Sequence, residues 1–139
     1  MKLPGKRVLW YWLPPLLWPI GFRLAVLVLM SGQAPRWVAG HDKLLHFLYF
    51  AIMAILVWRG FRFERRFSPW GAAFAAFGVI ALYGGLDELS QLLRPYRSAE
   101  LHDWFADLAG AAMPFLVAAA ETVIQRRRPA PVPLPCPEA

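Results

Sequence analysis

The chain has a single cysteine, few acidic residues and a low density of charge, and each shortage removes a class of protein. One cysteine, Cys136, permits no internal disulfide framework and no cysteine-based metal cluster. Charged residues make up 17% of the 139 positions, against about 25% in an ordinary soluble domain, while hydrophobic residues reach 58%. There is no Gly-rich phosphate loop, no G-x-S-x-G elbow, no HExxH-type pair and no Cys–His pair, so the common nucleotide-binding, hydrolase and zinc-peptidase signatures are missing. His41 and His46 are five residues apart, which separates them around a helix. No metal site is expected from His46, Glu88 and Asp103, and no cofactor is expected. No internal repeat is visible.

Nine Asp and Glu face fifteen Lys and Arg, for a net charge of +6. Such a balance can signal nucleic-acid binding. Here, however, the basic residues cluster at the ends of apolar runs (Lys2, Lys6 and Arg7; Arg59, Arg62, Arg65 and Arg66; Arg126 to Arg128), as membrane topology signals do. Membrane lipids, not nucleic acid, are the expected surroundings. Crossing the hydrocarbon takes about 20 apolar residues of helix, and four segments qualify, at about residues 8–30, 42–58, 69–93 and 103–124. The expected fold class is all-α: a polytopic membrane protein, a bundle of four transmembrane helices over residues 1–125 with a basic, proline-rich disordered tail at 126–139. The three basic clusters outweigh Arg36, Lys43, Arg94 and Arg97 in the two other loops, which puts both termini in the cytoplasm.

Segment one carries Pro14, Pro15 and Pro19, which predict an irregular first half with freed carbonyls satisfied inside the protein. Its basic start, apolar run and small residues Gly32 and Ala34 also resemble a cleavable signal, although the run is long and holds Arg23. Arg23 either snorkels to an interface or pairs in the bundle with Asp107 or Glu88. In segment two, Asp42, His46, Tyr49 and Met53 share a helix face. Ser68 and Pro69 read as an N-cap and first helical residue. Segment three is rich in Gly and Ala, which suits close helix contact within a bundle or a homo-oligomer. In segment four Asp103, Asp107, Gly110 and Pro114 line one face, and Pro114 should kink the helix.

Five of the nine carboxylates (Asp87, Glu88, Glu100, Asp103 and Asp107) fall within residues 84–107, at or near the ends of two spans. The four-span topology gathers Asp42, Lys43, His46, Glu88, Gln91, Arg97 and Asp103 at the outer membrane face, with Asp107 about one turn deeper. A poorly solvated carboxylate such as Glu88 or Asp103 suits general acid–base work. His46, on one face with Asp42, suits a proton shuttle. Arg97 and Lys43, with Gln91 and Asp42 beside them, suit an anionic ligand group. The bland reading gives Asp42, Glu100 and Asp103 a helix-capping role by the dipole.

At these residues the chain resembles the VanZ-like family of small integral membrane proteins. Three blocks carry the resemblance: DKLLHF at Asp42 to Phe47, ELSQLLRPYR at Glu88 to Arg97, and D-x-x-x-D-x-x-G at Asp103 to Gly110. The resemblance implies a polytopic helical protein of the cell envelope, in a bacterial cytoplasmic membrane, with polar residues near one face. Its name ties it to glycopeptide (teicoplanin) resistance, and it implies no agreed reaction. The family usually has asparagine where this chain has Asp107 and glycine where it has Pro114. Three functions stay open. One is an envelope protein that binds or modifies a lipid-linked or amphiphilic ligand. Another is a small proton-coupled transporter using Arg23, Asp107 and Glu88, and the third is a non-catalytic partner of an envelope enzyme.

Overall fold

The computed structural model describes residues 5–29, 41–91 and 101–128. Among them every regular element is helical: α1 (Lys6–Leu29), α2 (Asp42–Arg59), a π-helical turn (Gly60–Glu64), α3 (Pro69–Gln91), α4 (Leu101–Ala111) and α5 (Met113–Arg127). Among the described residues three stretches are long and apolar enough to cross a membrane: Lys43–Glu64, Pro69–Asp87 and Trp104–Arg127, the last running through α4 and α5. The α1 helix has 24 residues, about 36 Å at 1.5 Å per residue. Leu9, Leu13, Leu16, Ile20, Leu24 and Val28 are exposed along it, while Trp18 and Phe22 pack against the core. Most of the proline-rich tail and the loops at 31–40 and 92–100 lie outside the described residues.

The α2 helix is central, with α1, α3, α4 and α5 all packed against it. Tyr49, Phe50, Met53, Ala54, Val57 and Trp58 are buried, too many for one stripe, as befits a helix with neighbours on several sides. On α3, Ala72, Ala73 and Ala76 have no exposed surface, so these small residues serve packing inside the bundle. Phe115 of α5 closes the other side of α3 against Trp70, Phe74 and Phe77, with ring centroids 5.0 to 6.4 Å apart.

Two proline readings resolve differently. At Pro114 the helix does break: α4 ends at Ala111, Ala112 is a turn residue, and Pro114 lies buried in the first turn of α5, where no N–H is required of it. The α1 helix, by contrast, stays continuous through Pro14, Pro15 and Pro19. Pro14 cannot donate to the carbonyl of Trp10 four residues back. Arg59 at the end of α2 donates to that oxygen instead, at 2.9 Å, and its guanidinium also lies over the rings of Trp10 and Tyr11. An external donor thus replaces the missing helical one.

The basic stretch after Trp58 is more structured than a loop. Helical backbone continues through the π turn to Glu64, and Arg66, with φ 60°, ends the turn in the left-handed region. Gly60 gives the Trp12 indole room there: a Cβ would stand 3.1 Å from the ring, so the indole would have to shift by a few tenths of an ångström. Trp12 Nε1 donates to Glu64 at 3.1 Å, and Arg7 donates to the Phe63 carbonyl at 2.8 Å. Arg62 grips Glu121 of α5 with two nitrogens, the shortest bond being 2.6 Å. After the turn Ser68 caps α3, its Oγ accepting from the Gly71 N–H at 3.0 Å.

Candidate functional site

Among the described residues, two ion pairs drawn from four helices lie at the opposite end of the bundle. The closest helix crossing builds the first. Gly110 of α4 lies directly on the α2 backbone: a Cβ there would stand 2.5 Å from the Phe47 carbonyl oxygen and 2.9 Å from the Ala51 nitrogen. This absence of a side chain lets the axes approach. Asp107, about one turn earlier on the same face of α4, therefore meets His46 on α2, with Nδ1 and Oδ1 2.9 Å apart. The Asp107 side chain keeps 5% of its accessible surface and that of His46 19%. Gly84 of α3 closes over the carboxylate, since a Cβ there would lie 3.5 Å from Asp107 Oδ2 and 3.3 Å from the Phe50 ring.

An ionised carboxylate only accepts hydrogen bonds. With Asp107 ionised, His46 Nδ1–H donates to it, which fixes the tautomer and leaves Nε2 as the basic nitrogen of the neutral ring. The ring's orientation is thus set from the adjacent helix, with Asp107 as an orienting partner of His46 Nδ1.

The second pair corrects the expected Arg23–Asp107 pairing. Arg23 Nη2 of α1 donates to Asp87 Oδ1 of α3 at 2.5 Å, while Asp107 is held by His46. The reason is position: Asp87 closes the apolar span of α3, while Asp107 sits one turn inside the span that Trp104 opens. Between the pairs, Tyr49 and Tyr83 hydroxyls lie 3.3 Å apart, and Trp18 Nε1 of α1 donates to the Tyr49 carbonyl at 3.1 Å. Phe22 packs against Tyr49 with centroids 4.6 Å apart and ring planes tilted by 40°, so α1 is fastened to this end by packing as well as by charge.

Lys43 is exposed in the first turn of α2. Asp42, Glu88, Gln91 and Asp103 take their places on α2, α3, α3 and α4, but their side chains lie outside the described residues, as does all of Arg97. Asp87 counts in sequence only as one of five carboxylates near the span ends, with no partner assigned, and Trp104 belongs to no motif there. A signal for Asp87 existed: Tyr83 and Asp87 are one turn apart and share a face of α3. Lys43, Asp87 and Trp104 each start or close one of the three apolar spans, so α2, α3 and α4 reach one boundary together.

A family model for VanZ/LLP1 matches residues 9–123, from α1 to near the end of α5. The chain belongs to the VanZ/LLP1 family. The match spans the residues of both ion pairs and both glycines that pack against Asp107. No curated protein and no solved structure matches the chain.

Proposed function

We propose that this VanZ/LLP1 protein binds or modifies an anionic, lipid-linked or amphiphilic ligand at the outer face of a bacterial cytoplasmic membrane. In this reading α1 is the first of four spans and both termini are cytoplasmic. The observation that supports it is the pairing of Arg23 with Asp87 and of His46 with Asp107 where the apolar spans begin and end. Ionisable groups are costly at that depth and mark ligand or ion sites when they occur. The basic cluster at the other end, Arg59 to Arg66 with Arg126 to Arg128, favours a cytoplasmic location for that end. Arg97 and Lys43 then hold the anionic group, with Gln91 and Asp42 beside it, while Glu88, His46 and Asp103 orient it or move protons. A contribution to teicoplanin resistance is the corresponding cellular phenotype.

The test compares purified wild type with Glu88→Gln and His46→Gln in detergent. Mass spectrometry reads which added undecaprenyl-linked or other anionic lipid is retained and whether its mass changes. Retention lost in both variants, at unchanged protein yield, supports the reading, and a mass change makes the protein an enzyme. Lower yield with no lipid retained by any form refutes it in favour of a structural partner. Orientation is checked at Cys136, the single cysteine: an impermeant maleimide should leave it unlabelled in intact cells and label it after lysis.

A further inference from the structure

The indole N–H of Trp104 has no acceptor. Its Nε1 is buried, and among the described residues it has no hydrogen-bond partner. A buried tryptophan N–H usually finds a partner, because desolvating a donor without one is unfavourable. Interfacial tryptophans meet this need by turning the N–H towards water or lipid head groups. Trp104 opens the span Trp104–Arg127, at that depth, yet its N–H turns inward towards α3. There it faces Gly85: a Cβ at that position would stand 3.9 Å from Nε1 with no other neighbour within 4 Å. The donor therefore sits beside a backbone notch. Asp107 lies about one turn below on the same helix face, against Gly84.

We propose that Trp104 Nε1–H and the notch at Gly85 form a subsite for an anionic oxygen of a membrane amphiphile's head group. The inference rests on the ligand reading above and assigns it a neutral donor. The nearby ionic groups Arg23 and Asp87 are already paired with each other, so an N–H that makes no bond to the described residues is the group available at no internal cost. A neutral donor also adds no charge to the span that Trp104 opens.

The probe is undecaprenyl phosphate, added to the full chain in nanodiscs. Trp104→Phe keeps an aromatic side chain but removes the N–H together with the five-membered ring, so melting without lipid is read alongside retention of the probe, which should fall roughly tenfold or more, as for loss of a bond to a charged acceptor. Gly85→Leu should lower retention similarly by covering the donor. In indole nitrogen spectra, the resonance missing from Trp104→Phe should shift in the wild type when the probe is added. Retention by Trp104→Phe equal to wild type, with no shift of that resonance, overturns this inference and leaves the ligand reading standing. A shift produced by inorganic phosphate alone overturns the lipid assignment. No retention by the wild type overturns both.

Discussion

Gly110→Ala should be among the most damaging single-methyl additions in this protein. The added Cβ would meet the Phe47 oxygen at 2.5 Å, the Ala51 nitrogen at 2.9 Å and the Phe50 Cβ at 3.0 Å. Two of these atoms are backbone and cannot rotate away. Carbon–oxygen contacts settle near 3.3 Å, so α4 must retreat from α2 by about 0.8 Å. The same retreat stretches the 2.9 Å bond between Asp107 and His46 towards about 3.7 Å, beyond hydrogen-bonding range. Overpacking costs about 1–3 kcal/mol, and losing a bond to a buried charged group about 1.5–3 kcal/mol. Together they predict a loss of about 3–5 kcal/mol. Reversible unfolding in mixed detergent–dodecyl sulfate micelles measures it. Gly78→Ala is the control: a Cβ there meets nothing within 4 Å, so it should be neutral or stabilising by up to about 1 kcal/mol. Equal stability of wild type and Gly110→Ala would show that the two helices do not cross backbone to backbone, and the placement of Asp107 would fall with that contact.

Three further outcomes follow from the pairs described. Arg59→Ala should cost about 1 kcal/mol less in a Pro14→Ala background, where residue 14 can donate to Trp10 itself; an additive double-mutant cycle refutes the substitute bond. Arg23→Asp and Asp87→Arg should each lower the yield of folded protein, and the double exchange should restore it; failure of rescue shows that the pair is not what holds α1 to α3 at this end. Arg62→Lys loses the two-nitrogen grip on Glu121 and should cost about 1 kcal/mol in the same unfolding assay; no change would mean that solvent screening has removed the value of this partly exposed pair.

The helical class, the positions of three of the four expected apolar spans and the Ser68 cap were legible in the chain because they follow from local rules: run length, 3.6-residue periodicity and backbone donors at a helix start. The break at Pro114 followed from the same kind of rule, and the helix faces of His46, Tyr49 and Met53 and of Asp107, Gly110 and Pro114 point inward as their spacing suggests. Partner choice was not legible. Arg23 takes Asp87 rather than Asp107, and Asp107 takes His46, because pairing depends on the depth and crossing of helices that lie 61 and 64 residues apart in the chain.

Charge gives the sharpest division. In sequence, Arg59 and Arg62 are two more basic residues in a topology signal, and their count alone carries meaning there. In the folded chain Arg59 occupies the carbonyl that Pro14 leaves open, and Arg62 binds Glu121 across to α5. The sequence by itself determined that this VanZ/LLP1 chain is helical, strongly apolar and polar at the ends of its long segments. Only the tertiary structure decided which charges meet, because two glycines without side chains, Gly84 and Gly110, set how closely α3 and α2 approach the helix that carries Asp107.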